Sequence, residues 1–151
     1  MKKFITIILA TVLVLSLAGC KFVTYEDTNG DEDFSLQTLT EADITSNANI
    51  CSQTMSTKSM INNVTTYTAK EMSGVIKLYE TSLQNQDFEI QLSSEVSKGN
   101  ERLVLVIANT IVHDFMLNEK EQTFSIKNFS GKIRLKLAGE SAEYKITYTI
   151  N

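Results

Sequence analysis

Residues 132–150, which read KIRLKLAGESAEYKITYTI, decide the fold class of this chain. In residues 132–137 a cation alternates with Ile or Leu, and in residues 144–150 Tyr and Ile alternate with Lys and Thr. A period of two places one set of side chains on each face of a β-strand. Residues 139–141 between these segments contain Gly and Ser and predict a turn. The stretch therefore predicts two antiparallel strands, each with one apolar face.

Similar short segments precede this stretch. Residues 103–107 form a continuous apolar run that is typical of a central strand, and the turn residues 109–110 join it to residues 111–115 in a hairpin. Further turns are predicted where Gly, Ser and Asn cluster, at residues 73–74, 97–100 and 130–131. Eight short strands with frequent turn signals predict an all-β fold, an antiparallel β-sandwich that is jelly-roll-like. A small closed β-barrel is the alternative.

The segment before these strands is the least regular. Thr40 with an acidic residue three positions later, Asp43, matches a capping box and predicts a short helical turn near residues 41–46. The following Ser, Thr, Asn and Gln residues up to residue 62 predict a loop with one weak strand.

The N-terminus has the pattern of a secretory signal. Lys2 and Lys3 precede a run of apolar or small residues, which is shorter than the roughly 20 residues that span a bilayer. The run ends in Leu17, Ala18, Gly19 and Cys20, which resembles the lipobox of a bacterial lipoprotein. The resemblance implies that residues 1–19 are removed and that Cys20 carries diacylglycerol. It places the protein on the outer face of the cytoplasmic membrane, with no other cofactor expected.

Charge divides the mature chain into two parts. Residues 22–50 contain seven acidic residues and no basic ones, which predicts that residues 20–50 are a flexible acidic tether. Residues 51–151 contain eleven acidic and eleven basic residues and are predicted to form the β-domain. No basic cluster is dense enough to predict a nucleic-acid partner.

One part of the tether has the spacing of a calcium loop. Oxygen-bearing side chains alternate along it, at Asp27, Asn29, Asp31 and Asp33. Glu32 stands where such loops need glycine, and Thr38 stands where they need a bidentate carboxylate. An acidic linker is therefore the favoured interpretation, and a calcium site is the alternative.

Catalytic signals are weak. His113 is the only histidine, and its neighbour Asp114 is expected to point to the opposite face of the strand. Phosphate-loop and nucleophile-elbow motifs are absent from the sequence, and one histidine with one free cysteine is too few for a zinc site. We therefore expect no enzyme. With Cys20 lipidated, Cys51 has no partner in the chain, so it is either a free thiol or part of an intermolecular disulfide.

Lys132, Arg134 and Lys136 share one strand face and form a candidate binding stripe for an anionic wall polymer, phospholipid or acidic partner. The alternative is an ordinary solvated face. Tyr144 and Tyr148 share a face with isoleucines, which favours core packing over a ligand platform.

The order of strands in residues 62–151 resembles the small β-sandwich domains of uncharacterised lipoproteins in low-GC Gram-positive bacteria. The resemblance implies a jelly-roll-like fold and no particular activity. We expect a lipid-anchored, noncatalytic module that binds an unknown protein or polymer of the cell envelope. The alternatives are a structural or protective envelope lipoprotein and a hydrolase with an unrecognised pair of carboxylates.

Overall fold

Alternating apolar and polar residues produce almost pure antiparallel sheet in the computed structural model, which describes residues 39–151. The elements of this part are α1 (Glu41–Thr45), β1 (Ile50–Thr54), β2 (Thr57–Ile61), β3 (Val64–Ile107), β4 (Thr110–Phe115) and β5 (Gln122–Ile150). The sheet is open, so the fold is all-β and sandwich-like, as predicted, and the closed barrel is not formed.

The strands β3 and β5 are much longer than the short strands that the sequence predicts. Gly74, Gly99 and Ser141 have φ of +113°, +75° and +48°, and the chain continues in β-structure through each of them. Gly74 lies opposite Gly139, so the bends of β3 and β5 meet at one corner of the sheet. The turns predicted at residues 73–74, 97–100, 130–131 and 139–141 are therefore wrong as chain reversals. They are bends at which long strands pass from one layer to the other.

Glycine is required at the first of these bends. A Cβ on Gly74 would overlap the carbonyl oxygen of Ile50 on the neighbouring strand β1, and its φ lies in the left-handed region. The close approach holds β1 against the bend.

The bends divide the sheet into two layers. Layer A contains, in order, β2, residues 64–69, residues 144–150, residues 86–98 and residues 122–129. Layer B contains, in order, β1, residues 71–83, residues 131–139, residues 100–107 and β4. Each neighbouring pair is antiparallel.

The main core lies between the inner faces of the two layers. Phe88, Ile90 and Ile146 of layer A pack in one cluster with side chains of layer B such as Leu105 and Leu135. The tyrosines behave as the pattern predicts, because Tyr144 and Tyr148 are both buried in this core. The Tyr148 hydroxyl donates a hydrogen bond of 2.9 Å to the carbonyl oxygen of Leu78. Core packing of these two residues is confirmed.

Two local predictions are also confirmed. Residues 103–107 pair with β4 in a hairpin, and Ala108 and Asn109 at its turn both have positive φ, as a tight hairpin turn requires. The backbone of Thr40 donates to the Asp43 carboxylate at 2.9 Å, and the Thr40 hydroxyl accepts from the Asp43 backbone at 3.3 Å. This capping box begins α1.

Residues 39–49, here called the strap, lie on the outer face of layer B. Ile44 of α1 is buried and packs with Val75, Val104 and Val106, which point away from the main core. The side-chain oxygen of Asn49 accepts a hydrogen bond of 2.8 Å from the backbone of Lys77. Residues 39–49 therefore pack against layer B.

Several predictions concern residues outside the described part. The signal segment, the lipobox residues with Cys20, and the calcium-like series Asp27, Asn29, Asp31 and Asp33 all lie before residue 39. Within residues 39–151, no helix has the length and apolar character to cross a membrane. The same range contains no cluster of three or more His, Cys, Asp or Glu side chains arranged for a metal ion.

Candidate binding surfaces

The predicted stripe of cations is covered in the structure. Lys132, Arg134 and Lys136 do share the outer face of layer B, but Lys136 is fully buried and Arg134 is 3% exposed. The strap lies over both side chains. An accessible stripe of three cations is therefore not formed, and only Lys132 remains exposed.

The strap supplies oxygen acceptors for the two buried cations. Lys136 Nζ donates to the carbonyl oxygens of Ser46 at 2.7 Å and Ala48 at 3.1 Å. Arg134 Nη1 donates to the same Ser46 carbonyl at 3.1 Å and to the side chain of Asn47. Burial, followed by repulsion from Arg134, lowers the pKa of Lys136. The two cations thus fasten the strap to layer B.

The remaining charged side chains on the outer face of layer B partly neutralise one another. Glu80 accepts from Lys77 at 3.0 Å and lies 3.8 Å from the Lys132 ammonium group. The hydrogen bond from Lys77 is the first cause of the lowered pKa of Glu80. Lys132 and Lys77 are thereby engaged with an acid of their own face.

The outer face of layer A is open and lined with hydroxyl groups. One row runs across four neighbouring strand segments and consists of Ser59, Thr66, Thr147 and Ser93. The hydroxyls of Thr66 and Thr147 lie 3.3 Å apart, and those of Thr57 and Thr68 in the next row lie 2.6 Å apart. Cross-strand hydroxyl pairs of this kind stabilise a sheet modestly. The same face also carries Glu95 with Lys145 at 3.9 Å and Asp87 with Lys127 at 3.0 Å, so it is polar and its charges are paired.

The edge of the sheet formed by β1 and β2 is apolar. Seven large hydrophobic side chains are exposed within residues 39–151, and five of them lie on or beside these two strands. They are Ile50, Met55, Met60, Ile61 and Val64, with exposed fractions of 67%, 75%, 68%, 68% and 37%. We call β1, β2 and these residues the apolar edge. Both strands pair with β3 alone among the described residues, so their other sides are free.

The apolar edge differs from the opposite edges of the two layers. Asp114 on β4 accepts a hydrogen bond of 2.6 Å from Arg102. Lys127, within residues 122–129, donates one of 3.0 Å to Asp87. The rings of His113 and Phe124, which belong to these two opposite edges, lie 5.1 Å apart. Each opposite edge thus contains one charged residue that is held in an ion pair, and the two edges partly cover one another. The one charged residue of β1 and β2, Lys58, forms no ion pair among the described residues.

A cleft of about 400 Å³ lies beside the bulge that separates β1 from β2. Its walls include Met55, Thr68, Tyr144 and Lys145. Met55 therefore belongs both to this cleft and to the apolar edge.

The remaining candidate residues do not form a catalytic arrangement. His113 packs on Phe115 with a ring distance of 4.6 Å, whereas Asp114 points to the other side of β4 and binds Arg102. Their predicted opposite orientation is confirmed. Cys51 is an exposed free thiol on β1, and partial burial raises its pKa, which lowers its thiolate fraction near neutral pH.

The sequence did not predict one feature of the structure, the buried carboxylate of Glu101. Both carboxylate oxygens of Glu101 are buried at the corner and have no hydrogen-bond partner among residues 39–151. Burial raises the pKa of this carboxyl to about 7. The pKa of Tyr144 is also raised, first by burial and then by the negative charge of Glu101. Glu101 lies opposite Gly139, and this contact depends on a pairing that local sequence does not reveal.

No protein-family model matches this sequence, and none of the curated proteins is significantly similar to it. The site must therefore be interpreted from its own geometry.

Proposed function

We propose that this protein is a lipid-anchored, extracytoplasmic and noncatalytic module that binds a protein of the cell envelope through the apolar edge. The observation that carries the proposal is the concentration of exposed large hydrophobic side chains on β1, β2 and Val64. Exposed apolar patches on a soluble domain typically mark interaction sites.

The chemistry of the edge favours a protein over a glycan. The free side of a strand presents alternating N–H and C=O groups, and only an extended polypeptide offers both in matching order. Edge strands are normally protected by charge, proline or cover, and most of this protection is missing from β1 and β2. Strand addition would satisfy the free backbone groups and cover part of Met60 on one face of the sheet and part of Ile61 on the other.

The membrane anchor rests on the lipobox pattern that ends at Cys20. Residues 21–38 connect that cysteine to the strap, and an extended chain of this length reaches up to about 60 Å. This reach would carry the apolar edge well beyond the lipid headgroups. The membrane is then the first partner and an envelope protein the second.

A structural or protective role is the second candidate function. The observation that favours it is the polar outer face of layer A, which is lined with hydroxyl groups and paired charges. Such a face is well hydrated and would cover the membrane surface without binding a ligand.

Two exposed methionines provide a matched test of the proposal. Met60 on the apolar edge is 68% exposed and Met116 after β4 is 65% exposed. The full chain would be cross-linked in intact envelopes and purified, and the attached proteins quantified by mass spectrometry. We expect Met60→Lys to lower recovery of the partner about tenfold or more, because it places a charge in an apolar contact, and Met116→Lys to leave recovery unchanged. Equal recovery with both variants would contradict docking at this edge.

A further inference from the structure

We infer that the occupant of the apolar edge is a second copy of this chain, with the β2 strands of two copies paired antiparallel about a twofold axis at Ser59. This inference rests on the proposed function, because it names the partner of the same edge. Symmetric pairs of this kind use one surface twice and are the commonest oligomers.

The register about Ser59 places compatible side chains opposite one another. Thr57 would face Ile61 of the second copy, and Lys58 would face Met60. Thr57, Ser59 and Ile61 lie on the hydroxyl-lined side, where the Thr57 hydroxyl already contacts Thr68. Like charges directly opposite each other would oppose strand pairing, and this register contains none.

Lys58 does not obstruct this pairing. Its ammonium group lies 5.3 Å from the centre of the Tyr67 ring, over the neighbouring strand of the same copy. A cation held over an aromatic ring keeps its charge away from the free side of β2. The free side is then lined by Ser59 and the exposed side chain of Met60.

Overall charge also permits two copies to approach. Residues 39–151 contain thirteen acidic and eleven basic residues, so this folded part carries a net charge of only −2. Two such parts repel each other weakly over long distance, and β2 itself contains no acidic residue. A strongly charged foreign partner would find only one charged residue, Lys58, on β1 and β2.

The opposite edges explain why association would stop at two copies. They carry the Arg102–Asp114 and Lys127–Asp87 ion pairs, and His113 contacts Phe124 between them. A chain with one unprotected edge closes into a dimer, whereas a chain with two would grow into a fibre. Pairing through β2 would join the two A layers into one sheet with a continuous hydroxyl face.

The test uses a photoreactive side chain in the full chain, expressed in its membrane. Benzoylphenylalanine would replace Ser59 at the proposed axis, and a matched protein would carry it in place of Ser125, which is exposed on the opposite edge of layer A. After irradiation, we expect an adduct of twice the chain mass from position 59, at least about tenfold more abundant than from position 125.

The possible outcomes separate this inference from the proposed function. An adduct of position 59 with a different protein only would overturn self-pairing and leave docking at the edge intact. A monomer at both positions would overturn self-pairing, and the Met60→Lys experiment would then decide the proposed function by itself.

A second measurement covers the case in which the bulky probe disturbs β2. Ser59→Cys in a Cys51→Ser background, treated with a short bismaleimide, should give the same dimer. Ser125→Cys in that background should not. A monomer from Ser59→Cys, with an unfolding midpoint equal to that of the parent, contradicts the inference.

Discussion

The two layers of this protein have similar alternating sequences but opposite outer faces. Layer B buries Arg134 and Lys136 under the strap, whereas layer A leaves Thr66, Thr147 and their neighbours partly exposed to solvent. Lysine and arginine carry several donors and a charge, so their burial requires oxygen acceptors, which the strap carbonyls provide. Hydroxyls can pair with each other or with water. The cover, and not the strand pattern, determines which face is accessible to solvent.

Removing the strap should have the largest effect on the covered face. A chain that begins at residue 51 leaves Lys136 and Arg134 without the Ser46, Asn47 and Ala48 acceptors. We expect it to be about 3–5 kcal/mol less stable than a chain that begins at residue 39, or to fail to fold. Urea unfolding monitored by circular dichroism measures the difference. Equal midpoints would show that the strap is dispensable.

A single substitution sharpens the same comparison within one strand. Lys136→Met preserves much of the side-chain volume but removes the donor to Ser46 and Ala48. We expect a loss of about 1–3 kcal/mol, because the Ala48 carbonyl loses its Lys136 donor and the Ser46 carbonyl keeps only the donor from Arg134. Lys132→Met, on the exposed part of the same face, should change stability by less than about 0.5 kcal/mol. Similar losses from both variants would argue against the buried contacts as the cause.

The corner between the layers should make stability depend on pH. The pKa of Glu101 is raised to about 7, so the folded protein favours the protonated carboxyl more than the unfolded chain does. The stabilisation is complete below about pH 4.5 and is lost as the pH rises through about 7. Because the side chain is only partly buried, solvent screening reduces the change to about 1–2 kcal/mol.

Chemical unfolding of the parent and of Glu101→Gln across this pH range isolates the contribution of Glu101. As the pH rises from 5 to 8, the free energy of unfolding of the parent should fall relative to that of the Glu101→Gln variant. A constant difference would show that Glu101 does not titrate in this range.

The outer face of layer A should tolerate substitutions best. Thr147→Val removes a hydroxyl that contacts Thr66 at 3.3 Å and that water can replace. We expect the free energy of unfolding to change by less than about 0.5 kcal/mol, because valine also has high β-propensity. Thermal unfolding by calorimetry measures this small effect. A loss above 1 kcal/mol would mean that the hydroxyl ladder stabilises the sheet as strongly as the strap contacts do.

Local patterns predicted the parts of the fold that depend on nearby residues. Alternation in residues 144–150 identified the buried tyrosines, and the Asn109 turn identified the hairpin that leads into β4. The Thr40 and Asp43 pair identified the start of α1. Each of these features is decided within a few positions of the chain.

Features that depend on distant residues were not predictable in the same way. Gly74 and Gly99 signal a break in regular strand, but a bend and a reversal need the same positive φ, and only long-range pairing distinguishes them. The face of Arg134 was predicted correctly, yet its cover comes from a segment 88 positions earlier, at Ser46. The apolar edge was missed because Met60 and Ile61 lie among polar residues that resemble a loop.

The bends at Gly74 and Gly99 have a consequence for how the domain comes apart. Because β3 and β5 run through both layers, a shift of one residue in either layer would turn the inward side chains of the other layer outward as well. Each layer therefore enforces the register of the other. Neither can slip or detach alone, so the sandwich is held in one alignment by its own continuous strands.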